Sequence, residues 1–243
     1  MKKIFFVTGI FLFSTIVRAG DDGKADFSVG ADLVSSYVWR GMYLSGTSLQ
    51  PAMDFSIGNF SIGACGSVDI AGLKYKEVDL TASYSFGNFT AGFFNYWVSE
   101  ENAYNYFDYS ENTVHQLEAN LLYSFDPFPL TLGWNTIIAG VDTLETKDKR
   151  AFSTYLEATY TFSVKEVNIQ AALGVSPWKS NALYTKEYFF HTGKTIDGPA
   201  VVNISLTASK DIKINDKYSL GVFGQLAYNP ACNDAFFVFG IKF

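Results

Sequence analysis

The chain has 243 residues, enough for one large domain or two small ones, with 17% aromatic side chains, including 23 Phe and 15 Tyr, and a formal charge of −6. The acidic balance argues against a nucleic-acid partner, and so heavy an aromatic load suits strands better than helices. Two cysteines, Cys65 and Cys232, are too few and too far apart for a disulfide framework or a zinc site, although a single bridge between them stays open.

Met1-Lys2-Lys3, an apolar run over residues 4–16 and Val17-Arg18-Ala19 predict a cleaved signal peptide over 1–19, leaving 20–243 as one domain. The apolar run falls short of the ~20 residues that a spanning helix needs. Position 20 is Gly rather than Cys, so lipoprotein attachment is not indicated. Losing Lys2, Lys3 and Arg18 moves the formal charge from −6 to −9. No later run is apolar enough for a spanning helix, so a membrane location would require a barrel.

The first predicted strand covers residues 26–40. It sets Phe27, Val29, Ala31, Leu33, Tyr37 and Trp39 on one face and Ser28, Gly30, Asp32, Ser36 and Arg40 on the other. The next two strands flank Gly58-Asn59, and the motif returns around Gly87-Asn88; Gly-Asn suits the positive φ angles of a two-residue hairpin turn. In both copies the apolar residues beside the turn share a face, Ile57 with Phe60 and Phe86 with Phe89. Asp54, Ser56, Ser61 and Ser67 oppose the first apolar set, and Asp79, Thr81, Ser83, Ser85 and Thr90 oppose the second.

A sixth strand alternates Leu117, Ala119, Leu121, Tyr123 and Phe125 with Gln116, Glu118, Asn120 and Ser124; a seventh carries Leu130, Leu132, Trp134 and Ile138 on its apolar side. The eighth sets Phe152, Leu156, Ala158, Tyr160 and Phe162 against Ser153, Glu157, Thr159 and Thr161. The ninth sets Val167, Ile169, Ala171, Leu173 and Val175 against Asn168, Gln170 and Gly174. Val202, Ile204, Leu206 and Ala208 form the apolar side of the tenth; Tyr218, Leu220, Val222, Leu226 and Tyr228 that of the eleventh, opposite Gln225. Phe237, Phe239, Ile241 and Phe243 form that of the twelfth, opposed by Val238, Gly240 and Lys242.

Twelve strands is an even number. Connections after even-numbered strands are short, whereas those after odd-numbered strands tend to be long and polar, notably 99–113 and 176–198. This pattern predicts an all-β fold, a transmembrane antiparallel up-and-down β-barrel of twelve strands in the outer membrane of a Gram-negative bacterium, its short turns periplasmic. Two aromatic girdles are expected on the apolar face: Phe27, Phe60, Phe86, Phe89, Phe125, Phe162, Tyr218 and Phe243 toward the short turns, and Tyr37, Trp39, Trp97 and Tyr228 toward the loops.

The segment Ser35-Ser36-Tyr37-Val38-Trp39-Arg40-Gly41, followed by Gln50-Pro51, Gly63 and Gly66-Ser67, resembles the opening of the TorF-like putative porins. That resemblance covers roughly the first fifth of the chain. It implies an outer-membrane barrel with a pore and supplies no catalytic residues. The terminal Phe243, with alternating Phe239 and Ile241, looks like the signal read by the barrel-assembly machinery.

With the apolar face against outer-membrane lipid, the other face would line the interior. The expected pore-lining residues are Asp32, Arg40, Asp54, Asp69, Asp79, Glu118, Asn120, Glu157, Gln170 and Gln225. Their acidic excess favours small cationic or neutral solutes over anions. Arg40 is the candidate for a constriction, or else for a structural salt bridge to a neighbouring acid. The alternative is a plugged barrel whose loops bind a ligand or serve a structural role; there Glu100, Glu101, Asp108 and Glu111 alternate with Tyr104, Tyr106, Phe107 and Tyr109. A less favoured reading is an outer-membrane lipid hydrolase using Ser99, His115 and Asn95 at an outward rim; His191, among aromatics in a loop, suits packing. No nucleophile motif is recognisable, so the chain reads as non-enzymatic, with no cofactor and no metal site.

Overall fold

The structure is a computed structural model that describes residues 25–72, 75–100, 105–110, 113–142, 149–180, 196, 198–216 and 218–243. The expected signal peptide, His191, Glu101, Tyr104 and Glu111 lie outside the described residues, and so does the side chain of Glu100.

The strands are β1 (Ala25–Val34), β2 (Tyr37–Trp39), β3 (Met42–Ser45), β4 (Ser48–Ile57), β5 (Phe60–Asp69), β6 (Tyr75–Phe86) and β7 (Phe89–Glu100), followed by β8 (His115–Phe125), β9 (Leu130–Gly140), β10 (Thr154–Val164), β11 (Val167–Ser176), β12 (Ala200–Lys213), β13 (Ser219–Asn229) and β14 (Asp234–Lys242). Twelve of them form a closed antiparallel barrel in the order β1-β14-β13-β12-β11-β10-β9-β8-β7-β6-β5-β4, and β2 pairs with β3 as a separate hairpin. The ring closes where Asp32, Leu33 and Val34 pair with Lys242, Ile241 and Gly240. Gly58 and Gly87 take the positive φ angles that the Gly-Asn turns require.

The two-faced alternation sets the wall. Large apolar side chains such as Phe55, Ile62, Leu80, Phe93, Leu121, Leu132, Leu173, Leu206 and Phe239 stand exposed on the outside, while Gln50, Asp79, Glu118, Asn135, Gln170, Asn203 and Gln225 are buried within. Every aromatic expected in the short-turn girdle is exposed on the outer face.

The loop-end girdle is different. The first strand does not continue to Arg40: it stops at Val34, and the chain turns inward, with Ser35 donating its N–H to the Phe239 carbonyl at 2.8 Å and accepting the Phe239 N–H on its hydroxyl at 3.0 Å. Arg40 and Gly41 both have positive φ, 51° and 78°, so they form the tight two-residue turn that folds β2 onto β3. Tyr37 and Trp39 therefore leave the outer wall. Tyr37 is fully buried against Tyr75, at 5.9 Å between ring centroids, and Trp39 packs on Tyr96 at 5.4 Å. Trp97 is also buried, beneath Tyr106. Tyr228 alone of the four expected there stays exposed. The period-two pattern ran unbroken through 35–40 because the inserted hairpin is itself a strand pair, which the same alternation describes.

Of three smaller departures, two share one cause, a local break in the ladder. Between Gly174 and Val175 the pairing to β12 skips Val202, which turns inward and is fully buried although the alternation put it outside. The β8 to β9 register shifts so that Ile138 is skipped; Ile137 points in and is fully buried. Phe152 precedes β10 and takes a positive φ of 50°.

The hairpin reaches across the barrel mouth. Val34, Tyr37 and Val38 pack on Tyr75 of β6 and on Phe223, Ala227 and Val238 of β13 and β14, while Met42 packs with Tyr155 and Val202 of β10 and β12. The Asn229 amide donates to the Gly41 carbonyl at 3.1 Å. A Cβ on Gly41 would lie 2.1 Å from the Val202 carbonyl oxygen. Gly41→Ala, strained both by that approach and by its φ, is expected to cost about 1–3 kcal/mol in reversible urea unfolding of the vesicle-bound protein, whereas Gly58→Ala, with open space around its Cβ, is expected to cost less.

Candidate functional site

The alternation that turns acids and amides inward, and the hairpin that enters from above, meet at Arg40 and Glu118. Arg40, at the hairpin turn, spans to β8 and grips the Glu118 carboxylate with both guanidinium nitrogens, Nη1 to Oε2 at 2.6 Å and Nη2 to Oε1 at 2.9 Å. The Glu118 side chain is fully buried and that of Arg40 nearly so. Such a forked, charge-assisted pair fixes orientation as well as distance. The Arg40 guanidinium also lies over the rings of Trp39, at 4.3 Å, and Tyr155, at 4.7 Å.

From Glu118 the polar contacts spread around the wall. Its Oε1 accepts from Tyr96 OH at 3.0 Å and from Asn120 Nδ2 at 2.7 Å; Asn120 also donates to Asn135 Oδ1 at 2.8 Å, and Asn135 donates to the Tyr155 carbonyl at 3.1 Å. Tyr155 OH donates to Glu157, which accepts from Thr159 as well, and Asn203 donates to Tyr155 OH at 3.2 Å. The Tyr155 ring lies directly over Gly174, where any Cβ would overlap it. Gln225 donates to Thr207 Oγ1 at 3.2 Å.

Several buried polar atoms have no protein partner among the described residues: Gln50 Oε1, Asp79 Oδ1, Asn120 Oδ1, Gln170 Nε2, Asn203 Oδ1 and Gln225 Oε1. Buried polar atoms without protein partners are satisfied by water or a ligand. The lumen is therefore a polar interior rather than a dry core.

Exposure divides the lumen by height. Inward residues near the loop end, from Ser48 and Gln50 through Glu77, Tyr96 and Glu118 to Asn229, are buried. Most inward residues near the short turns, including Ser28, Asp54, Ser56, Ser61, Ser83, Ser124, Thr161, Asn168 and Ser209, keep partial or full exposure, whereas Ser85 and Thr131 beside the turns are buried. The barrel is thus an open cup toward the short turns, closed by the hairpin toward the loops. Small side chains line the cup.

Asp54 belongs to the cup, and Asp32, directly opposite Gln50, sits at its upper edge. Asp32 pairs across the closing seam with Lys242, whose ammonium lies 5.0 Å over the Phe223 ring. Asp79, Glu118, Asn120, Glu157, Gln170 and Gln225 line the lumen above it. Asp69 sits at the loop-end rim, where Oδ1 accepts the N–H groups of Ala71 and Gly72, both at 2.9 Å, and caps the turn. Sequence reasoning missed Glu77, Tyr96, Tyr155 and Asp211 as interior residues. Extending the alternation by two from Asp79, Glu157 and Ser209 finds Glu77, Tyr155 and Asp211; Tyr96, an aromatic facing in, carries no polar signal.

At the outer rim, His115 and Asn95 do come together: the two side chains hydrogen bond at about the usual distance, 3.0–3.2 Å. The other ring nitrogen of His115 is engaged by the Tyr106 carbonyl, and the ring is stacked on Tyr109 at 4.3 Å and buried. Both ring nitrogens are thus taken up within the fold. Cys65 and Cys232 are free thiols, each buried; Cys65 donates to Asp79 at 3.6 Å.

No family model matches the chain, and no curated protein matches it. Among solved structures, it is similar to a chain from work described as "Unveiling the Mechanism Behind the in-meso Crystallization of Membrane Proteins", with a TM-score of 0.43 and 8% identity over 90% of this chain and 83% of that one. It is also similar to a mutant of the Rh. blastica porin, with a TM-score of 0.37 and 12% identity over 81% of this chain and 55% of that porin.

Removing one partner of the Arg40 and Glu118 pair leaves a buried uncompensated charge. Arg40→Ala is expected to cost about 3–5 kcal/mol in unfolding free energy. Arg40→Ala combined with Glu118→Gln is expected to cost less than Arg40→Ala alone, which a double-mutant cycle measured by urea unfolding would read directly.

Proposed function

We propose that the chain is a porin-like, non-enzymatic outer-membrane β-barrel that passes small cationic or neutral solutes through an acid-lined lumen, with the hairpin β2-β3 holding the resting lumen closed. The observation that carries the reading is the contrast between the two ends of the lumen: an open cup lined by small polar residues below, and a packed hairpin pinned across the mouth by one buried ion pair above. Outside, a continuous apolar surface rich in exposed Phe, Leu and Ile matches what lipid tails require of a barrel wall. Inside, Asp32, Asp54, Glu77, Asp79, Glu118, Glu157 and Asp211 outnumber Arg40 and Lys242, a balance that repels anions.

The resemblance of residues 35–67 to TorF-like porins supports the same assignment, and some of the residues that carry it, Tyr37 to Gly41, build the closing hairpin. An N-terminal export signal and a Phe243-ended recognition strand read by the barrel-assembly machinery fit this location. A second reading keeps the barrel but makes the hairpin a permanent plug; the full burial of Tyr37, Met42 and Val202 favours it.

Planar-bilayer recording under a salt gradient separates the two. Wild-type protein is expected to give rare or small steps. A variant with residues 36–46 replaced by a short Gly-Ser linker is expected to give steady steps with a cation-favouring reversal potential. A folded, heat-modifiable linker variant that passes no current would overturn the channel reading, and an anion-favouring potential would overturn the assigned selectivity.

A further inference from the structure

On the inward face of β6, Glu77 and Asp79 stand two residues apart and are both buried, 5% and 1% exposed. Among the described residues, neither makes an ion pair with Lys, Arg or His; ion pairs there include Arg40 with Glu118, Lys210 with Glu166 and Lys213 with Asp216. Glu77 accepts from Tyr75 OH at 3.0 Å and from the Tyr37 hydroxyl of the hairpin, and Asp79 Oδ2 from the Cys65 thiol at 3.6 Å, with Asp79 Oδ1 left without a partner.

A second observation comes from neighbouring strands. Ser67 of β5 is directly opposite Glu77, and Cys65 directly opposite Asp79. Gln50 of β4, 4% exposed, donates from Nε2 to Ser67 Oγ at 3.3 Å, while its Oε1 has no partner. Two carboxylates, an orphaned amide oxygen and a hydroxyl thus lie on one patch of the lumen wall across β4, β5 and β6, with Tyr37 of the hairpin over it in contact with Tyr75.

We propose that this patch is a binding site for a hard divalent cation of the calcium class, with Glu77, Asp79 and Gln50 Oε1 as its ligands. Oxygen donors in this number and of this charge suit Ca2+, which tolerates irregular geometry and completes its shell with water. A divalent ion neutralises both carboxylates, whereas leaving two buried carboxylates side by side without a counter-charge is costly. The cation that the hairpin brings into the lumen mouth, Arg40, is already committed to Glu118. Lysine or arginine is absent from the inward faces of β4, β5 and β6 among the described residues. The inference rests on the reading of the lumen as a wetted, acid-lined interior, but it requires binding and not conduction.

The test uses the full chain folded in detergent micelles, with Tb3+ as a probe whose emission is sensitised by nearby tyrosines and Ca2+ as competitor, so a failure of the channel reading in bilayers leaves this readout unaffected. Wild type is expected to take up one Tb3+ that Ca2+ displaces at submillimolar to millimolar concentration. Asp79→Asn and Glu77→Gln are each expected to weaken binding about tenfold or more. Glu157→Gln, on the opposite part of the wall, is expected to leave it unchanged. Heat-modifiability on gels checks that each variant is folded, and the Ca2+-induced rise in unfolding temperature, present in wild type and lost in Asp79→Asn, gives a second readout. Absence of saturable Tb3+ uptake by folded wild type, or equal uptake by the two variants and wild type, would overturn the site.

Discussion

A sheet whose outer face is apolar along every strand has no place for an unpaired edge, and closure of β1 onto β14 removes both edges at once. Everything else in the molecule follows from that closure. Once the ring is shut, the side chains that alternate with the apolar ones are forced together into a single interior, where each must find a partner, a water molecule or a counter-charge. The interior of this barrel is therefore a problem in satisfying polar groups. The hairpin β2-β3 is one solution to it.

The hairpin works because two kinds of force act at once. Val34, Tyr37, Val38 and Met42 bury apolar surface against Tyr75, Phe223, Val238 and Val202, which themselves face inward and would otherwise be wetted. The Arg40 guanidinium then supplies the charge that Glu118 needs, and the tyrosines and asparagines around Glu118 occupy the remaining lone pairs. Such a pair stabilises less than its distances suggest, since both ions were desolvated to make it, but it sets one docking position among many. Lower in the barrel most inward side chains are Ser and Thr, with Asp54 and Asn168 among them, and they are too small to fill the space. The cup stays open for that reason.

The strain in the structure lies at the hairpin and at the breaks in the ladder. Arg40 sits in the left-handed region so that its side chain can aim at Glu118, and Gly41 follows because the Val202 carbonyl leaves no room for a Cβ. The bulge that turns Val202 inward is what presents that residue to the hairpin. These features lie on different strands yet serve one contact, so the mouth of the barrel is a unit rather than a set of separate loops.

What the sequence determined by itself is the wall: period-two alternation from β4 to β14, broken only where the ladder is, Gly-Asn turns at 58–59 and 87–88, and the inward parity of Asp54, Asp79, Glu118, Glu157 and Gln225 all follow from local pattern, because side-chain direction in a regular strand depends only on position within it. The short-turn girdle was legible for the same reason. Only the tertiary structure decided that residues 35–47 leave the wall and fill the mouth, that Tyr37 and Trp39 face inward, that Arg40 meets Glu118 rather than a nearer acid, and that Asp69 caps a turn. Alternation gives a residue's face but not which strand stands opposite across the lumen. Ring closure is what brings together Arg40 and Glu118, seventy-eight residues apart in sequence, and the two ladder breaks shift parity without leaving any sign in composition.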